Sequence, residues 1–185
     1  MMIIEQAGQG FDTAVTSVSY TLGAGVSVEV FAAQDASSTT GLRLTGNELA
    51  QTISGTAGND TISGGGGRDV LIGGGGVDTF LIGTVATGNV AVLADFSASG
   101  AATDRIGLSS TAFNVGTSLD AAEFVAGTAA TTAAQRVIYD AGTGQLFYDA
   151  DGNGAGAAVL FAQVVPGTAV TAASFDVIVP TATTA

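Results

Sequence analysis

The 185-residue chain has no cysteine, no histidine, no lysine and no tryptophan, and only two prolines. Without cysteine there is no disulfide brace, no thiol nucleophile and no thiolate site for zinc or copper. Without histidine or lysine, the usual general bases, the Schiff-base amine and the lysine of a phosphate-binding loop are missing too. Basic charge is scarce: four arginines stand against sixteen acids, a net charge of −12. Such a chain is a poor partner for nucleic acid, and an anionic membrane surface repels it. No apolar run approaches the ~20 residues that span a bilayer, so membrane insertion is not expected. MMIIEQAG at the start has neither the basic start nor the apolar stretch of a cleaved secretory leader.

Glycine is what the chain has in plenty, and its placement is periodic. GTAGNDTIS from Gly55, GGGGRDVLI from Gly64 and GGGGVDTFL from Gly73 lie end to end. Each has small residues in its first four places, aspartate in the sixth and a bulky apolar residue in the eighth. Asp60, Asp69 and Asp78 are therefore in phase, as are Ile62, Leu71 and Phe80. A flexible glycine linker has no reason to hold that phase. If two units make one coil of a flattened solenoid, Asp60 stacks on Asp78 along one edge, Asp69 faces the other, and the apolar residues stack inward. Glycine permits the tight turns between short strands and lets carbonyl oxygens converge. Carbonyls with carboxylates suit calcium, a hard cation taking about six to eight oxygens, and this nonapeptide is a known calcium-binding repeat signature.

The register extends upstream. GNELAQTIS from Gly46 keeps Ile53 but has Gln51 for the aspartate and Leu49 for a glycine, and AGQGFDTAV from Ala7 puts Asp12 in the acidic place. Residues 3–22 read like the middle of a repeat array, so further coils or a passenger domain upstream are expected. Elsewhere the reading is of strands: Ala14–Leu22, a half-buried Val26–Ala32, a loop at 34–41, Asn89–Phe96, a hairpin of Arg136–Asp140 with Gln145–Asp149, then Ala157–Val165 and a closing Phe175–Val179. SLDAAEFVAG (118–127) suits a short helix between Ser118 and Gly127, with a strand at Phe124–Val125 as the alternative. The fold class is all-β. A degenerate solenoid segment (1–45) leads into a short parallel β-roll (46–82), and a β-rich C-terminal region (83–185) caps it, because the last coil of a solenoid exposes strand edges.

GGGGRDVLI and GGGGVDTFL resemble the repeats of the RTX family, the hemolysin-type calcium-binding proteins. FDTAVTSVSYTL (11–22), VLADFSASGAATDRIGLSS (92–110) and RVIYDAGTGQLFYDADGNGAGAAVLFAQV (136–164) resemble segments that flank such repeats. The resemblance implies a parallel β-roll with each calcium ion held between turns eighteen residues apart. Its ligands would be carbonyls from places two and four and the aspartate of the earlier turn, with carbonyls from places one and three and the aspartate of the later one. Carried onto this chain, one site uses Thr56, Gly58 and Asp60 with Gly73, Gly75 and Asp78. A second, weaker site uses Asn47, Leu49 and Gln51 with Gly64, Gly66 and Asp69. A third uses Gly65, Gly67 and Asp69 against a turn near Ile82 that has no aspartate. The resemblance also implies type I secretion, an extracellular or cell-surface location, and an export signal near the C-terminus, where TAVTAASFDVIVPTATTA carries no basic residue.

Asp149, Asp151 and Asn153 in DADGNG match alternate places of a DxDxDG calcium loop, but Leu160 stands where the bidentate glutamate would be. A plain hairpin loop is the alternative. Asp95 and Asp104, flanking DFSASGAATD, read first as a solvated turn at the end of the roll, with metal contact there as the alternative. No constellation supports catalysis, so the chain is expected not to be an enzyme. The competing expectations are an adhesin, surface-layer or polysaccharide-binding module with glycan contacts, or the non-catalytic tail of a larger secreted enzyme or toxin. Calcium-dependent self-association through an open coil is a further expectation.

Overall fold

Short strands recur where an apolar residue falls between two turns, and from β4 (Arg43–Thr45) to β8 (Thr79–Ile82) each stops at the glycine that opens the next turn. A computed structural model describes residues 10–179; MMIIEQAG, the first residues of AGQGFDTAV and the end of the C-terminal stretch lie outside that range. Ten strands wind as a solenoid: β1 (Thr13–Thr16), β2 (Tyr20–Thr21), β3 (Val30–Ala33), β4 (Arg43–Thr45), β5 (Thr52–Ser54), β6 (Thr61–Ser63), β7 (Arg68–Ile72), β8 (Thr79–Ile82), β9 (Val90–Leu93) and β10 (Arg105–Ser109). Odd-numbered strands pair in parallel in one sheet and even-numbered strands in the other. This is the two-sheet parallel roll that the nine-residue phase implies.

The register stacks like on like. Ala14, Phe31, Ile53, Leu71 and Leu93 form one inward column. Tyr20, Leu44, Ile62, Phe80 and Ile106 form the other. Phe31, Leu44, Ile53, Ile62, Leu71, Phe80, Leu93 and Ile106 are all fully buried. Burying each such side chain is worth roughly 1.5–3 kcal/mol, so the thin core is the main favourable term of a chain whose turns gain little by themselves.

The C-terminal part extends both sheets. After a four-residue helix, α1 (Ser110–Phe113), come β11 (Phe124–Ala126), β12 (Val137–Asp140), β13 (Gln145–Tyr148), β14 (Val159–Gln163) and β15 (Phe175–Ile178). β14 docks in parallel beside β9, and β12 and β13 follow it as an antiparallel hairpin. Phe113 seals this junction, edge-on to Tyr148 at 5.2 Å and to Phe161 at 4.9 Å between ring centroids.

Several expectations change in detail. Ala14–Leu22 is two strands with a turn between, because β1 and β2 join different sheets. The strand expected from Val26 begins at Val30; before it, turn hydrogen bonds from Val26 N–H to Gly23 O and from Val28 N–H to Val26 O compete with pairing. The 118–127 helix is absent: Phe124–Ala126 pairs with β12, so the strand alternative holds. Across the hairpin Tyr139 faces Leu146 and Val137 faces Tyr148, and Tyr139 donates its hydroxyl to Thr168 O. The closing strand joins the even sheet beside β10 and not the hairpin. Arg105 fastens it there through Asp176 at 2.6 Å and the carbonyls of Ala173 and Phe175.

Candidate calcium site

The turn 55–60 lies over the turn 73–78 because Thr61 pairs with Thr79 and Ile62 with Phe80. Asp60 N–H donates to Asp78 Oδ1 at 2.8 Å, across the expected eighteen residues. The other carboxylate oxygen of Asp60 folds back on its own turn, accepting from Thr56 N–H at 2.7 Å and Thr56 Oγ1 at 3.0 Å. Leu42 N–H in turn donates to Asp60 Oδ1 at 2.5 Å. Asp60 and Asp78 are each only 2% exposed.

The carbonyls crowd the same place. A Cβ on Gly74 would stand 2.0 Å from Thr56 O, and one on Gly76 2.6 Å from Gly58 O. A Cβ on Gly55 would meet Gly73 O and Asp60 Oδ2, each at 2.5 Å. Gly74 and Gly76 also hold φ of +99° and +95°, where a side chain is strained. Gly75 N–H donates to Thr56 O at 3.0 Å, and Gly58 N–H to Thr56 Oγ1 at 3.0 Å. The turn thus gathers Thr56, Gly58, Asp60, Gly73, Gly75 and Asp78, the set expected for the first site. Among the described residues no three acidic side chains cage an ion by themselves, so most ligands must be carbonyls. An all-oxygen donor set built from carbonyls with two carboxylates fits calcium.

The electrostatics point the same way. Burial pushes the Asp78 carboxyl up to about 7, and the nearby charges of Asp104, Asp60 and Asp95 add to it against the hydrogen bond from Asp60 N–H. Carboxylates packed this way repel one another unless a proton or a cation intervenes.

Asp104 corrects a sequence expectation. It is buried, at 5% exposed, and not part of a solvated turn. Its Oδ1 accepts Asp78 N–H at 2.9 Å, and its Oδ2 accepts Ser97 N–H at 2.8 Å, repeating the two contacts of Asp60. The spacing to Asp78 is twenty-six residues, so a nine-residue phase does not reveal it. Asp95 is exposed, yet it accepts from Gly73 N–H and Gly74 N–H.

The opposite edge brings Asn47, Leu49, Gln51, Gly64, Gly66 and Asp69 together as expected. Gln51 N–H donates to Asp69 Oδ1 at 2.9 Å and Gly66 N–H to Asn47 O at 2.7 Å. The Gln51 side chain pairs with Asn47 instead of offering a carboxylate. Burial pushes the Asp69 carboxyl up to about 6. On its other side, Gly65, Gly67 and Asp69 line a cavity of about 20 Å³, the space of one water-sized species. The partner turn there supplies Asn89, which accepts Gly67 N–H, and Thr84, which donates to Gly65 O. That site has a single carboxylate.

In DADGNG the two aspartates lie together, and Asn153 reaches outside the loop. Asp149 accepts Asp151 N–H, Asp151 accepts Gly156 N–H, and the Asn153 amide reaches Thr131 O. Asp12 N–H donates to Glu29 Oε2 at 2.8 Å, so the first coil continues the stacking.

No curated protein matches the chain. A family model of the RTX calcium-binding nonapeptide repeat, in four copies, matches residues 45–80. Such repeats are typical of secreted proteins, and among the described residues no helix is long and apolar enough to cross a membrane. With their phase, their stacked aspartates and their crowded carbonyls, residues 45–80 are RTX calcium-binding repeats, and the roll they build is a calcium-binding β-roll.

Proposed function

We propose that the chain is a calcium-gated folding module of an exported protein, without catalysis of its own. It stays unfolded at low cytosolic calcium, passes through a type I secretion apparatus, and folds outside the cell, where calcium is on the order of millimolar. Its export signal lies in the C-terminal stretch from Thr168. The Asp60–Asp78 pair carries this reading. Two buried carboxylates and four carbonyl-bearing turn residues meet there, and the charges acting on Asp78 are those of other carboxylates. A cation bound there favours the folded chain by its binding free energy. Asp60, Asp78 and the carbonyls of Thr56, Gly58, Gly73 and Gly75 are the proposed ligands. The absence of cysteine agrees with passage of an unfolded chain.

Far-ultraviolet circular dichroism with and without calcium tests the gate. Chelator should remove the β signal and calcium should restore it; an unchanged spectrum and melting temperature in excess chelator would sink the proposal. The export signal has its own test, because a chain truncated before Thr168 should remain inside a cell that secretes the intact one.

A further inference from the structure

Two turns of the roll solve the same packing problem with opposite polarity. In the turn 55–60, the second residue donates to the sixth: the Thr56 hydroxyl reaches the Asp60 carboxylate at 3.0 Å. In the turn 46–51, the sixth donates to the second: Gln51 Nε2 reaches Asn47 Oδ1 at 2.6 Å. The remaining contact is common to both. Gln51 Oε1 accepts Asn47 N–H at 3.2 Å, as Asp60 Oδ2 accepts Thr56 N–H at 2.7 Å. Where the turn 55–60 has Thr with Asp, the turn 46–51 has Asn with Gln, and each pair is complementary.

The Asn47 amide reaches further. Its Nδ2 donates to Gly23 O at 2.9 Å and to Val26 O at 2.8 Å, tying the turn 46–51 to the turn before it. Its Oδ1 also accepts Leu49 N–H at 2.9 Å. Asn47 and Gln51 are 7% and 3% exposed, and no buried polar side-chain atom among the described residues lacks a partner. A calcium ion here would meet amide hydrogens where the other edge presents carboxylate oxygen, and it would have to break these bonds in a buried place.

We infer that Asn47 and Gln51 form a metal-independent latch that ties the turn 46–51 to the turn at Gly23–Val26 and leaves Asp69 without the second carboxylate an ion between the turns 46–51 and 64–69 would need. The degraded repeat is then a site converted to a neutral hydrogen-bonded rung, which holds the upstream coils to the roll without calcium. This rests on the calcium reading of the neighbouring turns, and the test separates the two.

Native mass spectrometry in calcium counts the ions held by the native chain, by Gln51→Ala, and by Asn47→Thr combined with Gln51→Asp, which copies the Thr56–Asp60 pair. The double variant should hold one ion more than the native chain. Gln51→Ala should keep the native count and melt at a lower temperature. A count lower by one in Gln51→Ala, or an unaltered count in a folded double variant, overturns the latch. If the double variant does not fold, Gln51→Ala decides alone. A native chain with no ion defeats the calcium reading, whereas the latch still requires the double variant to gain its first.

Discussion

Along one edge of the roll the residues that close each turn run Leu42, Asp60, Asp78 and Asp104; along the other they run Glu29, Gln51, Asp69 and Ala91. The strands between them share one register and one apolar core, so the difference is confined to the turns. The first edge links successive turns by carboxylates that accept the preceding backbone N–H, at 2.5, 2.8 and 2.9 Å. The second keeps one such contact in the repeats, from Gln51 to Asp69 at 2.9 Å, and surrounds it with neutral amides. A solenoid can therefore place its need for a cation on one side and hold the other side by hydrogen bonds alone. Under the proposed function, calcium controls folding through a few turns while the core stays common to both edges.

Substitutions that hit both edges set the scale. Leu71→Ala, in the core between them, should cost about 2–5 kcal/mol, read as a lower melting temperature in calcium. An unchanged melting temperature would show that the two edges do not share this core.

Gly74→Ala and Gly65→Ala separate the edges. Both glycines hold positive φ, and their added Cβ atoms would meet Thr56 O at 2.0 Å and Asn47 O at 2.4 Å. Both should destabilise the fold, but only Gly74→Ala should remove an ion from the count. Equal ion loss would erase the distinction between the edges.

Charge sharpens it further. Asp78→Ala should weaken calcium binding at least about tenfold, since affinity follows the number of charged ligands, whereas Asp12→Ala should leave it nearly unchanged. Calorimetric titration of the two variants checks this, and equal effects would refute the ligand assignment. Asp78→Asn should weaken calcium binding too, yet leave more β circular-dichroism signal in chelator at neutral pH, because it removes a charge that burial opposes.

The smallest expected effect is that of pH. The carboxyls of Asp78 and Asp69 rise to about 7 and about 6 in the folded chain from an ordinary 3.8. Folding without metal therefore takes up protons. Their contribution to metal-free stability is fully present below about 4 and is lost as pH rises through about 6 to 7. Calcium competes with the proton on Asp78, so its affinity should fall as pH drops below 7. In chelator, more β circular-dichroism signal should survive at pH 5 than at pH 8; the reverse order would contradict the burial of these acids.

Much of this was legible because the repeat imposes one answer at several levels. The phase of Ile62, Leu71 and Phe80 placed the core, and the phase of Asp60 and Asp78 placed the acidic edge. Legibility ended where coil length varies. Phe31 stacks on Ile53 and Leu71 on Leu93 across longer turns, and Asp104 joins the acidic column only because a looped-out segment brings it back into register. The pairing of β15 with β10 depends on Arg105 and Asp176, seventy-one residues apart, which no local pattern encodes. At 118–127, local caps favoured a helix, but pairing with β12 satisfied more backbone and prevailed.

A crystal structure grown in calcium, with ions located by anomalous scattering, tests the division of the edges most directly. The account predicts an ion between the turns 55–60 and 73–78, held by Asp60 and Asp78, and none between the turns 46–51 and 64–69. No ion at the first position, or an ion held by Asn47 and Gln51 at the second, would contradict it.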